Sequence, residues 1–585
     1  MKASDYIVEF FINKGITDVF GYPGGMVTHL MDSFQKYSNQ ISAHVMYHEQ
    51  AVAFAACGYA QTSGKPGVAY ATSGPGATNL VTGIANAYFD SIPTIFITGQ
   101  VNTNESKTGY GVRQRGFQET DIVSIVKPIT KYAAYIHNTE ELAFELEKAY
   151  QIAMSGRRGP VVLDVPMNVF RTEIDEVPAN FENNNTESLT HDLLNGEAIC
   201  AELRKELESA NAPVFVLGNG VKSASEEKRI RTAIQKLGIP VVSSMIAFDI
   251  MGNDELNFGF VGAYGSRTAN FVVAKSDLII TIGSRMDIRQ VGALRANFAP
   301  EAIIVRIDID PGEFSYPVHE DERQLQADVS SVAAALNNLE LEKDYSHWKA
   351  VCIEIRNLLA GIDDNVISTF VKSLSESIPD NTIITTDVGQ NQVWVAQSFA
   401  LKDNQKVLFS GGHGAMGYSL PAAIGAYYGS GKKELFCFVG DGGMQMNIQE
   451  LQYIVREKLP IKVIVFNNNA LGMIRHFQEM YFDSRFYQTK PEGGYSAPDF
   501  ARIAEAYGIP SESIEIHDTG VVKWNNGPEL KQVLIQEDTY VIPKLEFGKP
   551  NQDQEPLIDR MLYRRIMDMP IKREQKFGGA DQINR

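Results

Sequence analysis

The sequence predicts an α/β protein made of three parallel-sheet domains. Three observations carry this expectation. At 585 residues the chain is too long for a single hydrophobic core. Three stretches share one texture, in which short Val- and Ile-rich runs end in Gly-rich turns and pass into helical patterns. Two polar breaks separate these stretches.

The first stretch, residues 1–177, has apolar runs at 67–71, 92–97 and 161–165, the first closing in Ser73-Gly74-Pro75-Gly76. A linker is expected around Pro178 and Asn183-Asn184-Asn185. The second stretch, 190–340, has runs at 212–217, 277–282 and 302–309 and fades into charged residues 340–345. The third, 360–545, has runs at 382–386, 435–439 and 461–466. In the tail, 546–585, Lys549 to Pro556 is polar and expected to be irregular. A short basic helical pattern follows, and residues 578–585 are expected to be disordered.

Composition narrows the function classes. A net charge of -18 argues against a nucleic-acid partner, because phosphate binding needs a basic face, and also against anionic membrane surfaces. No run of about 18 apolar residues could span a bilayer. Cys57, Cys200, Cys352 and Cys437 are scattered, form no CxxC pair and suit a reducing compartment. The N-terminus lacks the apolar core of a signal peptide, so a soluble cytoplasmic protein is the expectation.

The chemistry-bearing pattern lies in the third stretch. The apolar run 436–439 ends in Gly440-Asp441-Gly442-Gly443, and a helical pattern follows from Met444. Backbone N–H groups and a helix N-terminus at a strand end suit a diphosphate, and Asp441 adds a hard oxygen ligand for Mg²⁺. The run 463–466 ends in Asn467-Asn468-Asn469. Parallel strands end at one sheet edge, so Asp441 and an Asn amide oxygen can share one metal. Read alone, GDG is a weak motif, and the two segments read more readily as tight turns rich in small residues. In the first stretch, Glu49 of His48-Glu49-Gln50 leads an alanine-rich helical run, which suits a partly buried carboxylate able to share a proton with a ring nitrogen. Alone, Glu49 reads more readily as a helix-start carboxylate favoured by the helix dipole.

GDG followed by NN after a spacer of this length is the signature of thiamine-diphosphate enzymes. Further landmarks are Phe20-Gly21-Tyr22-Pro23-Gly24-Gly25, Ser73-Gly74-Pro75-Gly76-Ala77-Thr78-Asn79, Gly116-Phe117-Gln118-Glu119, Gly283-Ser284-Arg285-Met286-Asp287-Ile288-Arg289 and Gly411-Gly412-His413-Gly414-Ala415-Met416-Gly417. With these, over roughly residues 1–545, the chain resembles the acetolactate synthase catalytic subunits of the pyruvate-oxidase-like thiamine-diphosphate family.

The resemblance implies a pyrimidine-binding first domain, a flavin-type central domain and a diphosphate-binding third domain. It implies decarboxylation of pyruvate and transfer of the two-carbon unit to a second 2-oxo acid. Glu49 would meet the aminopyrimidine, with Pro23, Gly76 and Asn79 beside it. Gly389, Gln390, Gly414, Gly440, Gly442, Gly443 and Met473 would hold the rest of the cofactor, and Met416 would bend it. Asp441, Asn468 and the Ala470 carbonyl would hold Mg²⁺. Arg289 would hold the acceptor's carboxylate, with Gln118 and Lys131 on the same side and Gly25 in the catalytic set. Arg157, Gly218, Gly265, Arg285 and Asp308 would line FAD in a non-redox, structural role, or the central domain would be empty, since the fold survives in members without flavin. A homodimer would be the smallest active unit, with a homotetramer and a regulatory small subunit as further options.

The chain departs from the family at Phe477, where Trp is usual, at His413, where an aliphatic residue is usual, at Asn391, and in the tail. These changes keep open a larger acceptor, such as a nucleotide-linked keto-sugar, and a simple decarboxylase.

Overall fold

The computed structural model describes residues 1–174, 193–517 and 522–572; the expected linker and the last residues lie outside them. Two compact units emerge, Met1–Asp192 with Asn365–Val541, and Leu193–Asp364 with Ile542–Arg585. The expected three parallel sheets are present, each with six strands.

The first sheet contains β1 (Asp18–Gly21), β2 (Ser42–Val45), β3 (Gly67–Ala71), β4 (Thr94–Gln100), β5 (Tyr132–Tyr135) and β6 (Pro160–Pro166), ordered β2-β1-β3-β4-β6-β5. The central sheet contains β7 (Pro213–Leu217), β8 (Val241–Ser243), β9 (Asn257–Phe260), β10 (Leu278–Ile282), β11 (Ile303–Asp308) and β12 (Arg323–Gln326), ordered β12-β11-β10-β7-β8-β9. The third contains β13 (Ile383–Thr386), β14 (Lys406–Leu408), β15 (Leu435–Gly440), β16 (Ile461–Asn467), β17 (Ser511–Glu515) and β18 (Glu529–Leu534), ordered β14-β13-β15-β16-β18-β17. Counted along the chain, the first and third sheets have the same strand order. Strands such as β4 and β16 are buried at every residue, which is why their sequences read as mostly apolar runs rather than alternating ones.

In doubly wound sheets, ligands sit beyond the strand C-termini where the order reverses. That point lies between β1 and β3 in the first sheet, between β7 and β10 in the central one, and between β13 and β15 in the third. Each is flanked by Gly-rich turns noted in the sequence.

Within the first unit, two alanine-rich helices, Glu49–Ser63 and Ser419–Gly429, join the first and third sheets. They meet backbone to backbone. A Cβ on Gly58 would lie 2.0 Å from the Ala422 carbonyl oxygen, and one on Gly425 would lie 1.8 Å from that of Ala55. Only glycine allows this approach. The Glu49 helix is therefore packed along its length, and its first residue is held as part of a buried layer.

Candidate active site

Asp441 opens the helix Asp441–Met446 directly at the end of β15, three residues earlier than the pattern from Met444 suggested. Gly440 stays extended as the N-cap, so the strand passes into the helix without a separate turn. The Asp441 carboxylate accepts the N–H of Gly442 at 2.6 Å and of Ala470 at 3.2 Å, and the Tyr495 hydroxyl at 3.2 Å. Burial outweighs these donors and leaves this carboxyl pushed up to about 6.

Asn468 and Ala470 face the same carboxylate. Asn468 Oδ1 lies 2.8 Å from the Ala470 carbonyl oxygen and 3.3 Å from Asp441 Oδ2. Its orientation is set from behind. Gln390 donates its Nε2 to the Thr539 carbonyl at 2.9 Å, which turns Gln390 Oε1 toward the Asn468 amide nitrogen at 3.0 Å. Turning the Asn468 amide over would set its oxygen against Gln390 Oε1. Asp441 Oδ2, which also accepts the Ala470 N–H, thus lies together with the Asn468 and Ala470 oxygens. Oxygens at neighbouring corners of a Mg²⁺ octahedron, each ~2.1 Å from the ion, are ~2.9 Å apart, so the donor set fits that ion. Among the described residues no group of three or more His, Cys, Asp or Glu could hold a metal. One carboxylate with neutral oxygens suits Mg²⁺ that completes its shell with phosphate and water.

Above this cluster, a Cβ on Gly442 would lie 2.9 Å from both the Met416 methyl carbon and Leu471 Cδ2. Met416 therefore overhangs the Gly440–Gly443 turn. Gly414 and Gly389 have positive φ on either side of the β13–β15 crevice, and Met473 lies in the first turn of the helix Gly472–Tyr481. These residues form one continuous half-site.

The other half-site is built on the first sheet. Glu49 is 8% exposed, and its Oε2 accepts the Asn79 amide at 3.0 Å. Its Oε1 lies against Gly76, where a Cβ would come within 3.2 Å. His48 caps the helix by accepting the Gln50 N–H at 3.0 Å. The turn carrying Pro23 and Gly25 rests on Thr72, whose hydroxyl accepts the Met26 N–H at 3.3 Å. Gln118 lies on Gly74 with φ of 63°, and Phe117 beside it is 78% exposed. Gln118 is held in this conformation by Glu119. That carboxylate accepts the N–H of Lys107 at 2.6 Å, of Arg115 at 2.9 Å and of Gly116 at 3.3 Å.

The Lys131 ammonium donates to the carbonyls of Ile152 and Ser155, the latter at 2.7 Å, at the C-terminal end of the helix Thr139–Met154. Arg157 Nε donates to Ser91 Oγ at 2.9 Å. His413 stacks on Phe89 with centroids 5.6 Å apart, and burial lowers its pKa.

In the second unit, Gly218 and Gly283 abut at the β7–β10 crevice, where the Gly220 N–H donates to the Gly283 carbonyl at 3.0 Å. Asp308 ends β11, Arg285 pairs with Asp287 at 3.4 Å, and the Gly265 N–H donates to the Gly262 carbonyl at 2.9 Å. The hydroxyls of Ser243 and Ser244, at the end of β8, are buried without a partner among the described residues. Such orphaned groups at the ligand edge of a dinucleotide-type sheet fit a flavin. Arg289 is exposed on the short helix Ile288–Val291.

Two residues escaped sequence reasoning. Tyr495 sits in a Gly-Gly-Tyr loop with no periodicity to mark it. Glu450 reaches from the third domain to the turn before Glu49, where its Oε1 accepts the Tyr47 N–H at 3.0 Å. Its Oε2 is buried without a partner among the described residues, and burial pushes the carboxyl up to about 8. The folded state then keeps a proton that the unfolded chain releases near pH 4.5. Stability should therefore fall as pH rises from about 4.5 to about 8. Glu450→Gln should match the parent's melting temperature at pH 5 and exceed it by several degrees at pH 8.5. Equal melting temperatures at both pH values would rule this out.

No helix among the described residues is long and apolar enough to cross a membrane. Three family models match the chain: the thiamine pyrophosphate enzyme N-terminal TPP binding domain at residues 1–125, the central domain at 200–336 and the C-terminal TPP binding domain at 387–532. The chain is 33% identical to the acetolactate synthase isozyme 2 large subunit of Escherichia coli, covering 94% of this chain and 99% of that one. It is 34% identical to the acetolactate synthase large subunit of Lactococcus lactis, covering 94% and 95%. It is 36% identical to a probable acetolactate synthase large subunit of Methanocaldococcus jannaschii, covering 93% and 91%. With three matching domains in order and relatives aligned over nearly their full length, the chain belongs to the thiamine pyrophosphate enzymes, in the family of the acetolactate synthase large subunits.

Proposed function

We propose that this protein decarboxylates pyruvate and transfers the two-carbon unit to a second 2-oxo acid, giving 2-acetolactate or 2-aceto-2-hydroxybutanoate. The observation that carries the reading is the convergence of the Asp441, Asn468 and Ala470 oxygens beside a diphosphate-type turn. Thiamine diphosphate, when bound, supplies the electron sink that lets a 2-oxo acid lose CO₂ and the remaining unit join a second carbonyl. Asp441, Asn468 and Ala470 would hold Mg²⁺, and the Gly440–Gly443 turn would hold the diphosphate. Glu49 would hold a proton between its carboxylate and a ring nitrogen, with Asn79 fixing the carboxylate's direction. Met416 and Leu471 would keep water from the reacting atoms. Arg289 would hold the acceptor's carboxylate through its fork of donors. FAD would sit on the central sheet in a structural role. The Glu49 half-site of one copy would face the diphosphate half-site of another, making a homodimer the smallest active unit. The "large subunit" in the names of several relatives points to a small-subunit partner.

A second reading has a larger ketone as acceptor, such as a nucleotide-linked keto-sugar. Phe477 stands where the family has Trp, and it is half exposed with Ile474 and Tyr481 on the same helix, which leaves that side open. The test is to incubate the protein with thiamine diphosphate, Mg²⁺, FAD and pyruvate and to identify products by NMR. Abundant 2-acetolactate is expected. CO₂ with acetaldehyde and no acetolactate would sink the first reading and direct the search to the larger ketone.

A further inference from the structure

The polar run in the tail forms a loop closed on itself. Lys544 and Glu555 exchange backbone hydrogen bonds, Lys544 N–H to Glu555 O at 2.9 Å and Glu555 N–H to Lys544 O at 2.7 Å. This pinches residues 545–554 into a strap. Its polar groups point inward. The Leu545 N–H donates to the Ala263 carbonyl at 2.8 Å, Asn551 Nδ2 to the Gln290 carbonyl at 2.6 Å, and Gln554 Nε2 to the Gly265 carbonyl at 2.9 Å. Arg267 fastens the far end, donating to the carbonyls of Gln554 at 2.9 Å and Pro556 at 2.7 Å while pairing with Asp363 at 2.9 Å. The chain then enters the helix Arg560–Met567, whose last carbonyls accept from Lys275.

One of the two segments gripped by the strap carries Arg289. That residue sits on a single helical turn, Ile288–Val291, too short to hold its shape by itself. A helix so short leaves most of its carbonyls without internal partners. The Ile288 carbonyl accepts the Gly292 N–H at 3.0 Å, and the next two are taken up from outside the turn. The Arg289 N–H donates to Asp287 Oδ1 at 2.9 Å, and the Arg289 carbonyl accepts the Ala263 N–H at 2.9 Å. The next carbonyl, that of Gln290, accepts from Asn551. Gly292, with φ of 81°, closes the turn, and Asn551 Oδ1 lies 3.0 Å from where its Cβ would be. The strap therefore touches the turn carrying Arg289 on one side and residues 263–265 on the other.

We infer that Asn551 is a positioning residue for Arg289, acting through the Gln290 carbonyl, and that the C-terminal strap sets the direction in which the guanidinium meets its carboxylate. This rests on Arg289 as the group that holds the acceptor.

The test uses the full-length protein loaded with thiamine diphosphate, Mg²⁺ and FAD, with pyruvate as donor and 2-oxobutanoate as acceptor. Asn551→Asp keeps the side chain's size and removes the N–H that reaches Gln290. Arg289→Gln is measured beside it. The readouts are CO₂ released, ligated product formed, and the melting temperature. Asn551→Asp is expected to lower the product-to-CO₂ ratio about tenfold, with CO₂ release within about threefold of the parent. Arg289→Gln should lower the ratio at least as far. If Arg289→Gln lowers the ratio and Asn551→Asp does not, the positioning role is overturned and the reading of Arg289 stands. If Asn551→Asp lowers CO₂, product and melting temperature together, the strap is only structural and the inference fails. If Arg289→Gln leaves the ratio unchanged, or the parent forms no ligated product, the reading of Arg289 fails and the inference with it.

Discussion

Glu49→Gln is expected to lower turnover of pyruvate by roughly 10²–10⁴-fold while leaving the melting temperature within a few degrees of the parent. The substitution keeps the shape of the side chain and an oxygen for the Asn79 amide, so the helix and its packing persist. It removes the one property the reading assigns to Glu49, a carboxyl that can both take and return a proton. Steady-state kinetics beside a thermal melt separate the two effects. Retention of more than about a tenth of the parent's turnover would show that Glu49 does not hold the proton.

Asp441→Asn should raise the Mg²⁺ concentration needed for half-maximal activity by about 100-fold or more. Asp441 is the single carboxylate in the oxygen cluster; Asn468 and Ala470 contribute neutral oxygens. Loss of its charge leaves the protein only neutral oxygens to offer the ion, with the diphosphate as the one charged partner. The same change should abolish the rise in melting temperature that Mg²⁺ with thiamine diphosphate gives the parent, because a ligand stabilises only the state that binds it. A Mg²⁺ titration followed by a melt checks both. A variant with an unchanged Mg²⁺ dependence would place the metal elsewhere.

The three parallel sheets were legible because strands buried on both faces leave long apolar runs, as in β4 and β16, and their ends are marked by glycine. Asp441 and Asn468 were legible for the same reason: each sits at the end of such a run. The helix start was read three residues late because Gly442 and Gly443 are poor helix formers, whereas tertiary packing at the strand end overrides their propensity. The supporting groups were not legible. Gln390 acts by turning the Asn468 amide, and Glu119 by gathering N–H groups around Gln118; neither act leaves a periodic trace. Asn551 and Gln554 look like surface residues because they are polar, and they are buried only because each donates to a carbonyl of a distant loop. Lys131, named from the resemblance alone, donates to carbonyls at a helix end, a contact that leaves no trace in the sequence around it.

The division of the chain into two units, each assembled from two separate segments, bears on biosynthesis. Emerging from the ribosome, the first sheet must wait for residues 365–541 before its alanine-rich helix finds Ser419–Gly429. The central sheet can pair its strands early, but the strap over Arg289 arrives only after the third sheet is complete. On the proposed function, a nascent chain halted near residue 541 would hold the residues assigned to the cofactor and still lack the strap over Arg289, so competence for decarboxylation would precede competence for ligation.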